Sequence, residues 1–472
     1  MALSVADNQS ACTFIILGAT GDLTKRKLIP AIYKLVASKK LAHFAIIGVS
    51  LDPTTMAQVF AQARAFIPEA DEGIWQQMQD ASYYQCMDFN DQIAYGALHG
   101  LIESVERKHS TGQNRLFYLA TMPHHFITIT RQLAAHSIVR KQSTRQGIGW
   151  QRVVYEKPFG DSLASAREIN EAIAQVFDEQ QVFRIDHWLG KELVGNIALA
   201  RFTNLIFEPL WNREHIDSVQ IVISEAIGIE GRSAFFDAYG MLKDMVQNHV
   251  LQVLSLVAME DPKHFTADDL RDAKAAVLAR VTIDNALFGQ YQGYLQEPGI
   301  NPQSTTDTFV ALKLSVHTPR WEGVPFYVKT GKYLDKTAAA VHIKFKKVKC
   351  LLDVCPTDTN YLTIDIQPNE GMHLTLNVKK PGVFNEVIPV AMSFSHKALF
   401  GPNTPAAYEV LLADVIKGDQ CAFVRADEID YSWSIIQQLS NKPKELHAYS
   451  RGSAGPDALA TLDPERKIVW KT

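Results

Sequence analysis

Residues 13–23 read TFIILGATGDL, an apolar run that leads directly into a turn containing Gly18 and Gly21. A short β-branched run bounded by glycine predicts a buried β-strand, and the residues after it predict a helix start. Glycines at such a turn let backbone N–H groups approach a pyrophosphate at the helix N-terminus. This stretch therefore predicts the first strand and phosphate-binding turn of a nucleotide-binding fold.

The turn departs from the G-x-G-x-x-G pattern, because Thr20 and Leu23 stand where further glycines are expected. A plain strand-to-helix turn therefore fits the tetrapeptide as well as a phosphate site does. Pro30 predicts a kink, or a regular helix that begins near Ile29, since proline lacks the N–H donor. The candidate cofactor-binding residues at this turn are Gly18, Ala19, Thr20, Gly21, Asp22, Leu23 and Lys25.

Further strand-like runs follow the first one, separated by stretches of helical period. They are FAIIGV (44–49), YYQCM (83–87), RLFYLA (115–120), RVVYE (152–156) and QVFRID (181–186). Strands that alternate with helices imply right-handed crossovers and a parallel sheet covered on both faces. We therefore expect an α/β domain, doubly wound and Rossmann-like, over residues 1–186.

The pattern changes after Asp186. VQIVISEA (219–226) and the stretch Tyr361–Val378 are longer and partly alternating, which is typical of antiparallel strands. A long helical candidate runs from about Phe235 to Met259. Residues 187–472 therefore predict an α+β domain, built on a large, mainly antiparallel sheet with helices on one face.

Composition excludes several classes of function. Of the 472 residues, 47 are Lys or Arg and 51 are Asp or Glu, so a net charge of −4 offers no general field for nucleic acid or an anionic membrane. No apolar run approaches the ~20 residues of a membrane span, and we expect a cytoplasmic protein. The five cysteines predict no disulfide framework, and Cys350 and Cys355 lack a second pair for a metal.

Longer strings are more specific than any glycine motif. They are GATGDLTKRK (18–27), YEKPFG (155–160), RIDHWLGKE (184–192), RFTNLIFEPLWNR (201–213), EGRSAFFDAYGMLKDMVQNHVLQ (230–252), RWEGVPFYVKTGK (320–332) and SAGP (453–456). In this order the chain resembles the glucose-6-phosphate dehydrogenase family over nearly its whole length. The resemblance implies oxidation of glucose 6-phosphate at carbon 1 to the lactone, with hydride transfer to NADP. It also implies a homodimer or homotetramer.

The oxidation needs a base within reach of the carbon 1 hydroxyl, and histidine has a suitable pKa. The resemblance implies that His249 is this base and that Asp186 orients and stabilises its imidazole. Spacing alone fits another reading, because His249 borders an apolar stripe and is equally consistent with a core histidine. Asp186 is likewise consistent with a strand end that caps the next helix.

The resemblance also implies the groups that hold the substrate. His187 and Lys191 match phosphate ligands, and we expect them to share a face if the chain is helical from Leu189. The sugar-site candidates are Lys157, Glu225, Asp244 and Lys332. Lys157 matches a lysine that lies between substrate and cofactor, so it is a cofactor-binding candidate as well. On an α-helix Asp244 and His249 would stand about 140° apart, flanking a sugar.

Two positions depart from the family pattern. Trp188 replaces a tyrosine, and Thr337 stands where a basic residue is common, with Lys336 as its neighbour. Trp188 loses a phenolic donor, so phosphate affinity is open. Whether Lys336 substitutes at the sugar is open too.

The choice of dinucleotide is also open. NADP calls for a basic residue after the second strand, whereas a free 2′-hydroxyl calls for a carboxylate, and this chain has Leu51 and Asp52 there. NADP follows from the resemblance, and NAD or dual use is the alternative. Arg64 is a candidate that reaches back to bind a 2′-phosphate. Tyr118 matches a residue beside the cofactor, and is equally consistent with a strand-core aromatic.

Two rival functions remain at this point. Another NAD(P)-dependent sugar oxidoreductase would turn over unphosphorylated sugars, and it would have no use for His187 and Lys191. A catalytically silent sugar-phosphate or nucleotide-binding subunit would lack the base or its orienting acid, and the sequence has candidates for both.

Overall fold

A computed structural model describes residues 11–142, 149–348, 359–383, 386–400, 406–440, 442 and 444–471. The described residues form two compact units. The first unit holds the described residues of 11–190, 266–268 and 406–429, and the second holds the described residues of 191–265, 269–400 and 430–471. The expected boundary at 186 lies close to the one observed at 190. The return of residues 406–429 to the first unit was not predicted.

The strands and helices are as follows. The strands are β1 (Ala11–Leu17), β2 (His43–Ser50), β3 (Ser82–Cys86), β4 (Arg115–Leu119), β5 (Gln151–Tyr155), β6 (Val182–Ile185), β7 (Ile216–Ser224), β8 (Val281–Tyr291), β9 (Phe309–Val316), β10 (Phe326–Gly331), β11 (Ala338–Phe345), β12 (Tyr361–Gln367), β13 (Gly371–Lys379), β14 (Val387–Ser395), β15 (Phe423–Val424) and β16 (Leu446–Tyr449). The α-helices are α1 (Ile29–Ala37), α2 (Met56–Ala63), α3 (Glu72–Asp80), α4 (Ala94–His109), α5 (Phe126–Ala135), α6 (Leu163–Val176), α7 (Glu192–Phe202), α8 (Ser233–Met241), α9 (Leu251–Ala258), α10 (Ala267–Leu278), α11 (His396–Phe400), α12 (Ala407–Lys417) and α13 (Ala426–Gln437). Two π-helical segments, Thr24–Leu28 and Leu242–Val250, run directly into α1 and α9 in the described part of the chain.

The first unit contains a seven-stranded sheet in the order β15-β6-β5-β4-β1-β2-β3. All neighbours are parallel except β15, which runs antiparallel to β6. The order reverses at β1, where doubly wound sheets bind ligands outside the carboxyl ends of their strands. The six predicted strands and the doubly wound fold are confirmed.

A segment from a distant part of the chain completes the first unit. The segment 406–429 supplies α12, which packs against α1, and β15, which extends the sheet. Near the start of α1, Pro30 stands in the first turn, a position that proline commonly takes. The predicted helix start near Ile29 is confirmed, although a π-helical segment precedes it.

The second unit contains a nine-stranded sheet in the order β14-β13-β12-β11-β7-β10-β9-β8-β16. The pairs β7–β10 and β8–β16 are parallel and the other pairs are antiparallel, which confirms a mainly antiparallel sheet. The predicted run 361–378 forms two strands, β12 and β13, that pair as a hairpin. Helix α7 packs against α9 and β12.

The predicted helix from Phe235 to Met259 is not continuous, and that prediction is wrong. Gly240 has φ 65° and ψ 177°, a backbone conformation that interrupts the helix between α8 and the π-helical segment. Glycine adopts a positive φ without steric penalty, so the sequence tolerates the break there. The run from His249 to Ala258 is buried throughout and continues from the π-helical segment into α9.

Other expectations concern membranes, metals and cysteines. Among the helices of the described residues, none is both long enough and apolar enough to cross a bilayer. In the same ranges no group of three or more His, Cys, Asp or Glu side chains is arranged to hold a metal ion. Cys12 and Cys86 are free thiols, and Cys350 and Cys355 lie outside the described residues.

Candidate active site

The glycine turn follows β1 as predicted. Gly18 has φ 95°, and a Cβ added there would lie 2.4 Å from the carbonyl oxygen of Ala120, so only glycine fits. The N–H groups of Gly18 and Ala19 both donate to the carbonyl of Val49, at 2.8 and 3.2 Å. This ties the turn to β2 and sets the start of the following helix, whose N-terminus suits a pyrophosphate.

The end of β2 carries a fixed carboxylate. Thr20 Oγ1 donates to Asp52 Oδ2 at 2.6 Å, which places the Asp52 side chain against the glycine turn. Leu51 beside it is 67% exposed. Arg64 does not reach back toward this turn, since its guanidinium pairs with Glu72 at 2.5 Å and stacks on Trp75. A carboxylate in this place fits a ribose 2′-hydroxyl and repels a 2′-phosphate.

A buried carboxyl group lies one residue before Lys157. Tyr118 and Tyr408 both donate their hydroxyl groups to Glu156 Oε1, the second at 3.2 Å. Burial raises the pKa of Glu156 to about 7, although these two hydrogen bonds and the charge of Lys157 act in the opposite direction. Tyr118 thus belongs to the strand core and at the same time connects to the Glu-Lys-Pro segment. Sequence reasoning missed Glu156 and Tyr408.

Replacing Glu156 by glutamine should change how stability depends on pH. The folded pKa of about 7 exceeds the ordinary 4.5, so the folded chain binds this proton more tightly than the unfolded chain. The free energy of unfolding should therefore fall as pH rises from 4.5 to 7, by up to about 3 kcal/mol, and Glu156→Gln should remove that decline. Urea unfolding at pH 5 and pH 8 measures the difference.

The glutamine keeps an oxygen that accepts from both tyrosines, so the neutral network survives the substitution. Glu69→Gln, at an exposed position of the same unit, is the control and should leave the pH dependence as in the wild type. A stability difference between wild type and Glu156→Gln that is equal at both pH values would contradict the raised pKa.

The end of β6 carries Asp186 and His187. Asp186 is 2% exposed, and its Oδ1 accepts the N–H of Trp188 at 3.0 Å. Residues 187–190 form a turn, and α7 begins only at Glu192, with Lys191 at its N-cap. The chain is therefore not helical from Leu189, and the condition under which His187 and Lys191 would share a helical face is not met. Trp188 is buried at 4% exposure, and His187 is half-buried.

Lys191 is the first residue of the second unit, and its side chain contacts a residue that was not predicted from the sequence. Its Nζ donates to the side-chain oxygen of Gln367, at the end of β12 and 176 positions away. No motif marks Gln367, because the pairing depends on the packing of α7 against β12. A lysine held by an amide offers charged and polar donors of the kind that bind a phosphate.

Two more candidates meet at the ends of parallel strands. Glu225 follows β7 and Lys332 follows β10, and Lys332 Nζ donates to Glu225 Oε2 at 2.6 Å. Both side chains are largely buried, at 10% exposure for the lysine and 26% for the glutamate. Thr337 accepts the N–H of Ala226 at 2.9 Å through its hydroxyl, while Lys336 is exposed. The pair presents a carboxylate and an ammonium that suit sugar hydroxyls.

Asp244 and His249 lie in the π-helical segment and are 7% and 1% exposed. Its backbone bonds run from residue i to i+5, as in the bond from Leu251 N–H to the carbonyl of Val246. Residues five apart therefore lie near the same face, and the predicted angle of about 140° is wrong because it assumed α-helical geometry. Such π-helical turns occur frequently at functional sites.

The candidates thus fall into two groups. The first unit holds the glycine turn, Tyr118, Lys157, Asp186 and His187. The second unit holds Lys191, Glu225, Asp244, His249 and Lys332. The pairing of His249 with Asp186 stays a prediction, since each belongs to a different unit.

Comparison with known proteins agrees with this arrangement. The family model for the NAD binding domain of glucose-6-phosphate dehydrogenase matches residues 15–196, and the model for its C-terminal domain matches residues 198–471. Glucose-6-phosphate 1-dehydrogenase of Chlamydia muridarum is 37% identical, over 98% of this chain and 97% of the relative. That of Streptococcus pneumoniae serotype 4 is 38% identical, over 96% and 95%.

Solved structures give the same result. One, described as glucose-6-phosphate dehydrogenase in complex with its substrate glucose-6-phosphate, superposes with a TM-score of 0.89 at 33% identity and covers 100% of both chains. Glucose-6-phosphate 1-dehydrogenase of Mycobacterium avium gives 0.85 at 34% identity, with 98% of both chains covered. Full-length identity of this degree, together with both domain models, settles the family. The chain belongs to the glucose-6-phosphate dehydrogenase family.

Proposed function

We propose that this chain oxidises carbon 1 of glucose 6-phosphate to 6-phosphoglucono-1,5-lactone, with NADP as the hydride acceptor. We further propose that it does so in the cytoplasm, as a homodimer or homotetramer. The observation that carries the proposal is the π-helical segment of the second unit. It holds Asp244 and a buried His249 near one face, in a unit that also fixes Glu225 against Lys332.

His249 is the proposed base. Its imidazole takes the proton of the carbon 1 hydroxyl as the carbon–hydrogen bond breaks and the hydride leaves, so that a carbon–oxygen double bond forms. When bound, the oxidised nicotinamide supplies the acceptor for that hydride. A buried imidazolium is unfavourable without a countercharge, and Asp186 is the proposed carboxylate that orients the ring and stabilises its charged form.

The remaining candidates hold the substrate. Lys191 and His187 are the proposed phosphate ligands, with Gln367 as an added donor beside Lys191. Glu225, Asp244 and Lys332 bind the sugar hydroxyls, and Lys157 lies at the proposed boundary between sugar and cofactor. Directed donors are needed because the chain, at a net charge of −4, supplies no general positive field.

The assay that tests this function follows absorbance of the reduced cofactor with purified protein. Glucose 6-phosphate with NADP⁺ should give turnover, and free glucose should give far less. Comparable turnover of free glucose or inositol would favour another sugar oxidoreductase. Binding of the sugar phosphate without turnover would favour a silent binding subunit.

NAD is the second candidate acceptor, because Asp52 lies against the glycine turn and fits a free 2′-hydroxyl. Leu51→Arg should raise the ratio of kcat/KM for NADP⁺ over that for NAD⁺. One charge-assisted bond to the 2′-phosphate contributes about 1.5–3 kcal/mol, which corresponds to a roughly 10- to 100-fold change. Steady-state kinetics with each dinucleotide measure the ratio.

Leu51→Met is the matched control for this substitution. It changes an exposed side chain without adding charge, so the ratio should stay within about twofold of wild type. If arginine changes the ratio no more than methionine does, position 51 does not face the 2′-phosphate.

A further inference from the structure

A buried carboxylate holds the start of the helical segment that carries His249. Asp307 lies just before β9 and is 3% exposed. Its Oδ2 accepts the N–H of Leu242 at 2.8 Å, and its carbonyl oxygen accepts the N–H of Met241 at 2.9 Å. Helix-start N–H groups have no partner within the helix itself. One residue, 65 positions further along the chain, therefore satisfies two of them.

The contact is close and is held from both sides. A Cβ added to Gly240 would lie 2.8 Å from Asp307 Oδ1, so the chain can approach the carboxylate only because this residue is glycine. Lys444 Nζ donates to the same Oδ1 at 2.5 Å. The carboxylate side chain is 4% exposed and the lysine side chain 36%, so the pair is partly shielded from water. Lys444 thus holds the Asp307 carboxylate in place, and Asp307 in turn holds the start of the helical segment.

The residue after Asp307 connects to the proposed sugar site. The carbonyl oxygen of Thr308 accepts the N–H of Lys332 at 2.9 Å. The hydroxyl of Tyr449 donates to the carbonyl oxygen of Lys332 at 2.7 Å and to that of Thr308 at 3.1 Å. Lys332 in turn pairs with Glu225 at 2.6 Å. Residues 307 and 308 therefore connect the helical segment that carries His249 to the groups proposed to bind the sugar.

We propose that Asp307, clamped by Lys444, is a positioning residue that determines where the His249 imidazole lies during proton transfer. It acts through the helix start and not by touching the reactants. The proposal rests on the proposed role of His249 as base. A displacement of about 1 Å at a reacting group is enough to lower a rate by up to ~10²-fold, so a small shift of the helix start has a measurable effect.

The test compares three variants below their melting temperatures. Asp307→Ala removes the acceptor and should lower kcat roughly 10-fold or more, with KM for NADP⁺ within about twofold of wild type. Asp307→Asn keeps an oxygen for Leu242 N–H and should restore kcat to within about threefold of wild type. The matched control is Asp463→Ala in the same unit.

Asp463 resembles Asp307 in burial and in its pairing with a lysine, but its side chain contacts residues of β9 and β10. Its side chain is 1% exposed, pairs with Lys313 at 2.8 Å and accepts from the hydroxyl of Tyr327 at 2.6 Å. Asp463→Ala should lower Tm as Asp307→Ala does, and should leave kcat within about twofold of wild type. Equal losses of kcat in the two alanine variants would overturn the proposal.

A double variant shows whether Asp307 acts through His249. In the His249→Asn background, Asp307→Ala should lower kcat by less than about twofold, because residues of one functional unit are non-additive. A further loss equal to that seen in the wild-type background would overturn the proposal. If Asp307→Ala does not fold, Lys444→Met takes its place in both backgrounds, with an expected loss of roughly threefold in the wild-type background.

Failure of the enzyme function is distinguishable from failure of this inference. Absence of glucose 6-phosphate oxidation by the wild type would refute the proposed function itself. An active wild type whose kcat is unaffected by His249→Asn would refute the base and this inference with it. An active, His249-dependent wild type that tolerates Asp307→Ala would refute the positioning role alone.

Discussion

Replacing His249 by asparagine should lower kcat by roughly 10²- to 10⁴-fold, because proton transfer to a positioned base contributes about that much. The imidazole is 1% exposed, and asparagine fills much of its volume while keeping polar atoms for its neighbours. KM for glucose 6-phosphate should change little, since the lost interaction exists only in the transition state. Steady-state kinetics at saturating NADP⁺ measure both constants, and thermal melting checks the fold.

A second buried histidine provides a control that distinguishes the loss of a catalytic group from the loss of side-chain packing. His342 lies on β11 of the same unit, is 5% exposed and bonds to Thr363 at 3.0 Å. His342→Asn makes the same chemical change at a histidine that is not a candidate catalytic or substrate-binding residue, so kcat should stay within about twofold of wild type. If both variants lose activity equally, His249 is a core residue and the base lies elsewhere.

The fold of the first unit could be predicted from the sequence because most strands of its sheet are buried on both faces. Each strand then appears as a short apolar run, and TFIILG, RLFYLA and QVFRID all fall on strands of the parallel sheet. The second unit was predictable in class but less so in detail. The run 361–378 forms a hairpin of two strands. Pro368 and Asn369 interrupt its otherwise alternating pattern of apolar and polar residues.

The geometry around His249 could not be predicted in the same way. Periodicity arguments assume 3.6 residues per turn, and a π-helical segment violates that assumption. Gly240 is a visible signal for a break, but the partner that fixes the helix start, Asp307, is 65 residues away. The contact of Lys191 with Gln367 spans 176 residues. Long-range contacts of this kind leave no local pattern in a single sequence.

Replacing Lys191 by alanine should raise KM for glucose 6-phosphate roughly 10- to 100-fold, because a hydrogen bond to a charged group contributes about 1.5–3 kcal/mol. Lys191 is half-buried at the N-cap of α7, where its Nζ reaches Gln367. The phosphate is remote from carbon 1, so kcat should remain within a few-fold of wild type. The measurement is the full dependence of rate on glucose 6-phosphate concentration.

Lys344 is the matched control, since its side chain is 32% exposed and pairs with Asp217 at 3.3 Å on the same sheet. Lys344→Ala should leave KM within about twofold of wild type.

If Lys191 binds the phosphate group, a second kinetic result is expected. Lys191→Ala should weaken competitive inhibition by inorganic phosphate while leaving kcat/KM for free glucose unchanged, because free glucose has no group for this lysine to bind. An equal loss for both sugars would place Lys191 at the sugar ring or in the scaffold, and the phosphate site would have to be sought at other residues.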